Sequence, residues 1–290
     1  NQRVYLSSDG GNIWRGRLNG SEWEVLNDQL NFGSISLVRV IHRGAERRIF
    51  AATDERLMFY SDDEGATWET STGFGTLSGS GERIIRTQVS DDSARTVYAL
   101  IAERIPPSTS RVISLFKSVD MGTQFTRVVT LPQSVSVSQN AADLWCPQYG
   151  FAEPRIMMNY RTFRLDVTAD TLVATGDLPD QPGGFAILTG HLEQNGNVLE
   201  YAYINENIYR SADGGITWEF KNNIAKSPFF KTSFSSSILT ADKLFFGDIE
   251  CHRSVNGGAG WVKFNDWFDY YQNMVSKLHA DIPSVNALLD

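Results

Sequence analysis

Tyr209-Arg210-Ser211-Ala212-Asp213-Gly214-Gly215-Ile216-Thr217-Trp218-Glu219-Phe220 reads as a strand, a tight turn and a return strand. The turn is written Ser-x-Asp-x-Gly-x-Thr-Trp, and each residue type has a physical task. A carboxylate two residues into a turn accepts several backbone N–H bonds, a glycine takes the positive φ of the reversal, and a tryptophan opens the return strand with a large apolar surface. The pattern recurs. A second clear copy runs from Ser61 to Trp68. A third runs from Ser118 through Asp120 and Gly122 to Phe125, and a fourth, with asparagine for aspartate, from Ser254 through Asn256 and Gly258 to Trp261.

The starts at 61, 118, 211 and 254 leave one gap about twice the others, which predicts a further hairpin near 165. There Thr162 to Val173 reads as strand, turn and strand without the serine, aspartate and glycine. At the N-terminus, Ser7 to Trp14 matches the letters of the motif. Aligning Arg3-Val4-Tyr5-Leu6 with Arg48-Ile49-Phe50-Ala51, Gly16 with Ser61 and Trp23 with Trp68 instead gives a spacing of 45 and a partner for every strand, and is preferred. Each hairpin follows two more apolar-alternating strands, such as Ile35 to Ile41 and Arg48 to Ala52 before Leu57 to Tyr60 and Trp68 to Thr72. Four short antiparallel strands at a repeat of about 43 to 57 residues predict an all-β fold, a β-propeller of four-stranded blades. Residues 1–290 then form a single propeller domain. Ser284 to Leu289 reads as an innermost strand that completes the first blade beside Arg3 to Leu6 and closes six blades; the alternative is six consecutive blades of a larger ring.

The 290 residues are 41% hydrophobic, enough for a sizeable core, and carry a net charge of −8. That acidity argues against a phosphate-backbone binder, so nucleic acid is excluded as a general partner. No apolar run reaches the roughly 20 residues of a membrane span, and Asn1 to Leu6 lacks the features of a signal peptide. A chain that enters directly on a strand suits a processed extracellular or cell-surface protein, with the periplasm or cytosol as alternatives. Cys146 and Cys251 fall a blade apart, whereas a disulfide needs Cα atoms within about 7 Å. Two unpaired, buried thiols are predicted.

The hairpins resemble the Asp boxes, also called BNR repeats, of sialidases, sortilin-type receptor domains, xyloglucanases and photosystem assembly-factor propellers. The resemblance implies that the boxes lie between third and fourth strands, away from any active site, so that Asp63, Asp120 and Asp213 are structural. Attention passes to the loops joining second to third strands, whose candidate residues are Asp9, Asp54, Glu103, Asn159, Glu206 and Asp248. Carboxylates there suit a cation, a basic peptide or sugar hydroxyls, or merely favour turns. Val4 to Arg15 also resembles the xyloglucanase segment that presents a catalytic aspartate, matching Asp9; in that family the partner acid comes from a second propeller, which this chain lacks. Sialidases need an arginine triad, a tyrosine nucleophile and an Arg-Ile-Pro motif before the first box, whereas Arg104-Ile105-Pro106 falls in a third-repeat loop.

A non-repeat stretch, Asn265 to Pro283, places Trp267, Tyr270, Tyr271, Met274, Val275 and Leu278 at helical spacing after an Asn265 or Asp266 cap, predicting a helical insertion at about 265–280. It reads as an aromatic platform with His279 and Asp281 at its edge, or as a helix capping the core. The expected function is a non-enzymatic binding or scaffold module, possessing no catalytic, metal or cofactor residues, for a protein or glycan partner. Its ligand-binding residues are drawn from the loop-end acids Asp9, Asp54, Glu206 and Asp248 and from the helical stretch, and it serves alone or within a larger surface protein. The alternative is a glycoside hydrolase of the xyloglucanase or sialidase type.

Overall fold

The computed structural model describes residues 3–8, 10–28, 33–53, 56–77, 79, 82–108, 110–131, 142–148, 150–179, 185–227 and 232–273. The chain divides into two compact units, Asn1–Gln139 and Asn140–Asp290. In the first, β1 (Arg3–Ser7), β2 (Ile13–Arg17) and β3 (Glu24–Val25) form one sheet. A second holds β4 (Ile35–Arg43), β5 (Glu46–Thr53), β6 (Met58–Ser61) and β7 (Glu69–Thr70), and a third β8 (Arg83–Val89), β9 (Val97–Arg104), β10 (Arg111–Ser118) and β11 (Thr126–Thr130). The second unit opens with the sheet of β12 (Ala142–Trp145), β13 (Arg155–Met158), β14 (Arg161–Asp166) and β15 (Thr171–Asp177). Next come β16 (Ala186–Leu192), β17 (Val198–Ile204), β18 (Asn207–Ser211) and β19 (Glu219–Asn223), then β20 (Ser233–Ser236), β21 (Leu244–Gly247), β22 (Cys251–Ser254) and β23 (Val262–Lys263), followed by α1 (Trp267–Gln272). All neighbouring strands pair antiparallel in chain order. These sheets are the blades of a six-bladed β-propeller.

Burial explains the sequence pattern strand by strand. β17 has both faces covered by the blades beside it, so it is a near-continuous apolar run buried over Val198–Ile204, and β9 is buried likewise over Val97–Ala102. The fourth strand is the outer edge, and β7 and β19 are largely polar and exposed. Phe50, Met58, Ile84, Val97 and Phe116 pack together between second and third blades, and Tyr201, Tyr203, Phe234 and Phe246 between fifth and sixth.

The preferred N-terminal alignment holds. The β2–β3 turn lies at Arg17–Ser21, while Ser7 to Ile13 joins β1 to β2 and is closed by Ser8 and Asn12, so the Ser7 to Trp14 letters form no third-to-fourth-strand hairpin. Gly16 stands where other blades have serine because a Cβ there would lie 2.5 Å from the Trp23 ring. The hidden hairpin is β14–β15. Cys146, just after β12, and Cys251, opening β22, are both buried, and neither forms a disulfide. Ser284 to Leu289 and the end of the predicted helix beyond Asn273 lie outside the described residues.

Candidate functional site

In each blade the third strand runs between two chemically different ends. At the hairpin end of the second blade, Ser61 Oγ donates to Asp63 Oδ1 at 2.8 Å and accepts from Gly65 N at 2.8 Å, while Thr67 N and Oγ1 reach the Asp63 carboxylate at 2.8 and 2.6 Å. The fifth blade repeats these bonds at 2.8, 2.9, 2.9 and 2.6 Å through Ser211, Asp213, Gly215 and Thr217. Trp68, Trp218 and Trp261 each donate Nε1 to the carbonyl of the hairpin glycine three residues earlier. Donation from Thr67, then from Ser61, holds the Asp63 carboxyl down at about 2. In the sixth blade Asn256 Oδ1 takes the same place, accepting from Ser254 Oγ and Gly260 N. An acceptor oxygen, not a charge, is what the turn needs.

The hairpin also leans on the preceding blade. Gly122 has φ of 93°, and a Cβ there would lie 2.5 Å from the Phe50 ring; Gly258, at φ of 91°, would meet Ile208 at 2.8 Å. Only glycine satisfies both the turn and the contact. Arg48 pairs with Asp62 at 2.7 Å and donates to Asp120 O and Thr123 of the next hairpin. Beneath the fifth hairpin lies a pair that the sequence did not announce. Arg155 Nε and Glu200 Oε1 stand 2.8 Å apart, with Glu200 fully buried, and burial pushes its carboxyl up to about 7 against the pull of Arg155. Its only sequence signal is one acid in the apolar run of β17.

The loop end varies from blade to blade. Asp9 and Asp54 lie outside the described residues. Glu103 is buried and receives Arg127 Nε and Nη2 at 2.9 and 2.8 Å, an ion pair within its own blade. Asn159 takes a left-handed turn position at φ of 59°. Asn205 and Glu206, at φ of 50° and 67°, form the two-residue turn between β17 and β18. Glu206 then accepts Ile224 N on its carbonyl and Lys226 N on its carboxylate at 2.8 and 3.3 Å, and Asp248 Oδ2 accepts Ser227 N. The structure thus brings Glu206 and Asp248 together on the segment entering the sixth blade. Asp248 is 5% exposed, and its Oδ1 is buried with no hydrogen-bond partner among the described residues. Burial raises the Asp248 carboxyl and lowers the His252 imidazole, while Tyr203, raised by burial and by the two acids, donates to Ile224 O at 2.9 Å.

The Asp248–Cys251 turn is tied to α1. Lys263 Nζ bridges Glu250 and Asp266 at 2.9 and 3.2 Å, and Phe264 N donates to Cys251 O. Asp266 caps α1 by accepting Phe268 N at 2.9 Å. Phe264, Phe268 and Tyr271 are 52%, 61% and 58% exposed, an aromatic strip beside the loop. Trp267 and Tyr270 are placed by the helix backbone, one turn apart on α1; His279 and Asp281 lie outside the described residues. No group of three or more His, Cys, Asp or Glu side chains among the described residues is arranged to hold a metal ion, and no described helix is long and apolar enough to cross a membrane.

No protein-family model matches the chain, and no curated protein matches it in sequence. Solved structures do resemble it in fold. Oligogalacturonate lyase in complex with manganese is 9% identical with a TM-score of 0.57, covering 91% of this chain and 75% of that one. YCF48 bound to D1 peptide is 15% identical with a TM-score of 0.53, covering 90% and 78%. The lectin of Aleuria aurantia, as a variant bound to alpha-methyl-L-fucoside, is 15% identical with a TM-score of 0.51, covering 90% and 93%. At these identities the likeness is one of fold.

Proposed function

We propose that this chain is a non-enzymatic binding propeller, extracellular or at the cell surface, whose hairpins are Asp boxes and whose partner, a protein segment or glycan, docks at the loop end of the fifth and sixth blades. One observation carries the reading: the aromatic strip of Phe264, Phe268 and Tyr271 is anchored to the turn that holds Asp248, whose Oδ1 has no hydrogen-bond partner among the described residues. Exposed aromatics beside an acceptor suit a sugar ring, which stacks and donates hydroxyls, or a peptide with an apolar and a basic side chain. The peptide-bound and fucoside-bound neighbours lend the fold a precedent for both classes. Glu103 and Glu206 support a binding role over hydrolysis, since one is held by arginine and the other by a backbone amide, whereas glycoside hydrolysis needs an acid and a partner carboxylate facing the bond. Incubation with a panel of polysaccharides and sialosides should give no turnover, and an array of glycans and peptides should give ligands lost on Phe268→Ala with Tyr271→Ala. Turnover abolished by Asp248→Asn would overturn the proposal.

A further inference from the structure

The turn between β2 and β3 has none of the box residues of the second, third, fifth and sixth blades. It reads Arg17-Leu18-Asn19-Gly20-Ser21-Glu22-Trp23, and Asn19-Gly20-Ser21 is the one Asn-x-Ser/Thr triplet in the 290 residues. That triplet is the acceptor pattern for N-linked sugar, where the middle residue is not proline and the segment lies on the surface. The letters alone are common, so exposure and local geometry decide whether a transferase can use them.

Arg17 N donates to Ser21 O at 2.8 Å and Gly20 N to Arg17 O at 2.9 Å, a tight reversal with Gly20 at φ of 80°. A Cβ at Gly20 would meet nothing within 4 Å, and Leu18 to Glu24 are exposed without interruption. Within this turn Asn19 Oδ1 accepts both Ser21 N at 3.2 Å and Ser21 Oγ at 2.7 Å, an Asx turn closed by the serine of the triplet. A backbone amide only donates, so it fixes which end of the Asn19 side chain is oxygen. The other end, Nδ2, makes no hydrogen bond among the described residues. Asn27 shows the opposite use of the same side chain: it is 2% exposed, its Oδ1 accepts Ile13 N and its Nδ2 donates to Gly11 O at 2.6 Å. The turn itself is held firmly, with Trp23 Nε1 donating to Gly20 O at 3.0 Å and Arg17 pairing with Glu22 at 2.6 Å. Leu18 and Trp23 are nonetheless 51% and 40% exposed, leaving apolar surface uncovered in the same turn.

We propose that Asn19 is an acceptor for N-linked glycosylation and carries one oligosaccharide at the hairpin end of the first blade. The proposal rests on the extracellular reading above, because the sugar donor, a lipid-linked oligosaccharide pyrophosphate, is used at a secretory membrane. In the transfer Nδ2 bonds to the anomeric carbon, that carbon's bond to the pyrophosphate oxygen breaks, and the amide gives up one proton as the lipid pyrophosphate leaves. Ser21 is the positioning residue, since its amide and hydroxyl hold Oδ1 and leave Nδ2 to react. The apolar surface of Leu18 and Trp23 suits the face of a sugar ring.

The full chain should be expressed in cultured eukaryotic cells with and without a cleavable secretory leader, and the chain inside the membrane system scored together with the exported chain. With the leader it should run one discrete step heavier. A peptide-N-glycosidase should remove that step and, in heavy-oxygen water, label the peptide containing position 19. Asn19→Gln and Ser21→Ala should abolish the step, while Ser21→Thr, which keeps the hydroxyl, should retain it. Scoring the internal chain keeps the result readable for a variant that is not exported. A leader-directed wild type without the step, a step that survives Asn19→Gln or Ser21→Ala, or one lost in Ser21→Thr would overturn the site. Because the leader forces entry, the two readings fail separately: a natural chain recovered from the cytosol would sink the extracellular reading, and a forced chain left unmodified would sink Asn19.

Discussion

The two ends of the third strand differ in how they use the same residue types. At the hairpin end Asp63, Asp213 and Asn256 all accept the backbone amide four residues on, whether or not the acceptor is charged. At the loop end Glu103 meets an arginine, Glu206 a backbone amide, and Asp248 keeps one oxygen unpartnered among the described residues. Repetition marks what every blade needs in order to stack. Divergence marks what a blade is free to vary, and binding can evolve there without loosening contacts such as those of Gly122 and Gly258 with the blade before them.

If that contrast is right, the hairpin end should govern stability. The largest effect is expected from Gly122→Val, which sets a branched side chain at φ of 93° against Phe50. Strain and overpacking together should cost about 3 kcal/mol or more in urea unfolding, and a loss below about 1 kcal/mol would break the contrast. Glu200 gives the next effect. Its folded carboxyl is raised from 4.5 to about 7, so its contribution is fully present below pH 4.5 and is lost as pH rises through about 7. Stability should fall by about 3 kcal/mol across that window, with the slope flattened in Glu200→Gln. A flat wild-type profile would remove the buried pair from the account.

Asp213→Ala should cost about 1 kcal/mol through its lost hydrogen bonds, and Asp213→Asn much less, because Asn256 already serves in the sixth blade. Asp63 sets the acid limit of such a turn. Its carboxyl is depressed, so its contribution is present above pH 3.8 and is lost as pH falls through about 2. The smallest stability effect belongs to the loop end: Phe268→Ala with Tyr271→Ala should move Tm by no more than the scatter between preparations, because both side chains are already largely in water.

The fold was legible because its signal is local and periodic. Ser211, Asp213, Gly215 and Trp218 sit within one turn, and their recurrence counts the blades. Gly16 shows why matching letters is weaker than matching strands: it replaces serine because Trp23 covers it, and Ser7 to Trp14 copies the motif by coincidence. The candidate site was legible only in outline. Asp248 and Glu206 were found as loop-end acids, but their meeting on Lys226 and Ser227 depends on how consecutive blades pack. Glu103 looked like its neighbours in sequence, and its arginine lies 24 residues away.

The most direct test of the division between structural and binding ends is one array experiment on four proteins. Wild type, Asp213→Asn, Asp248→Asn and the Phe268→Ala, Tyr271→Ala double variant would be profiled against the same glycans and peptides. The account predicts one shared ligand set for wild type and Asp213→Asn, and at least a tenfold loss of affinity for the other two with Tm preserved. Ligands lost in Asp213→Asn and kept in the loop-end variants would contradict it.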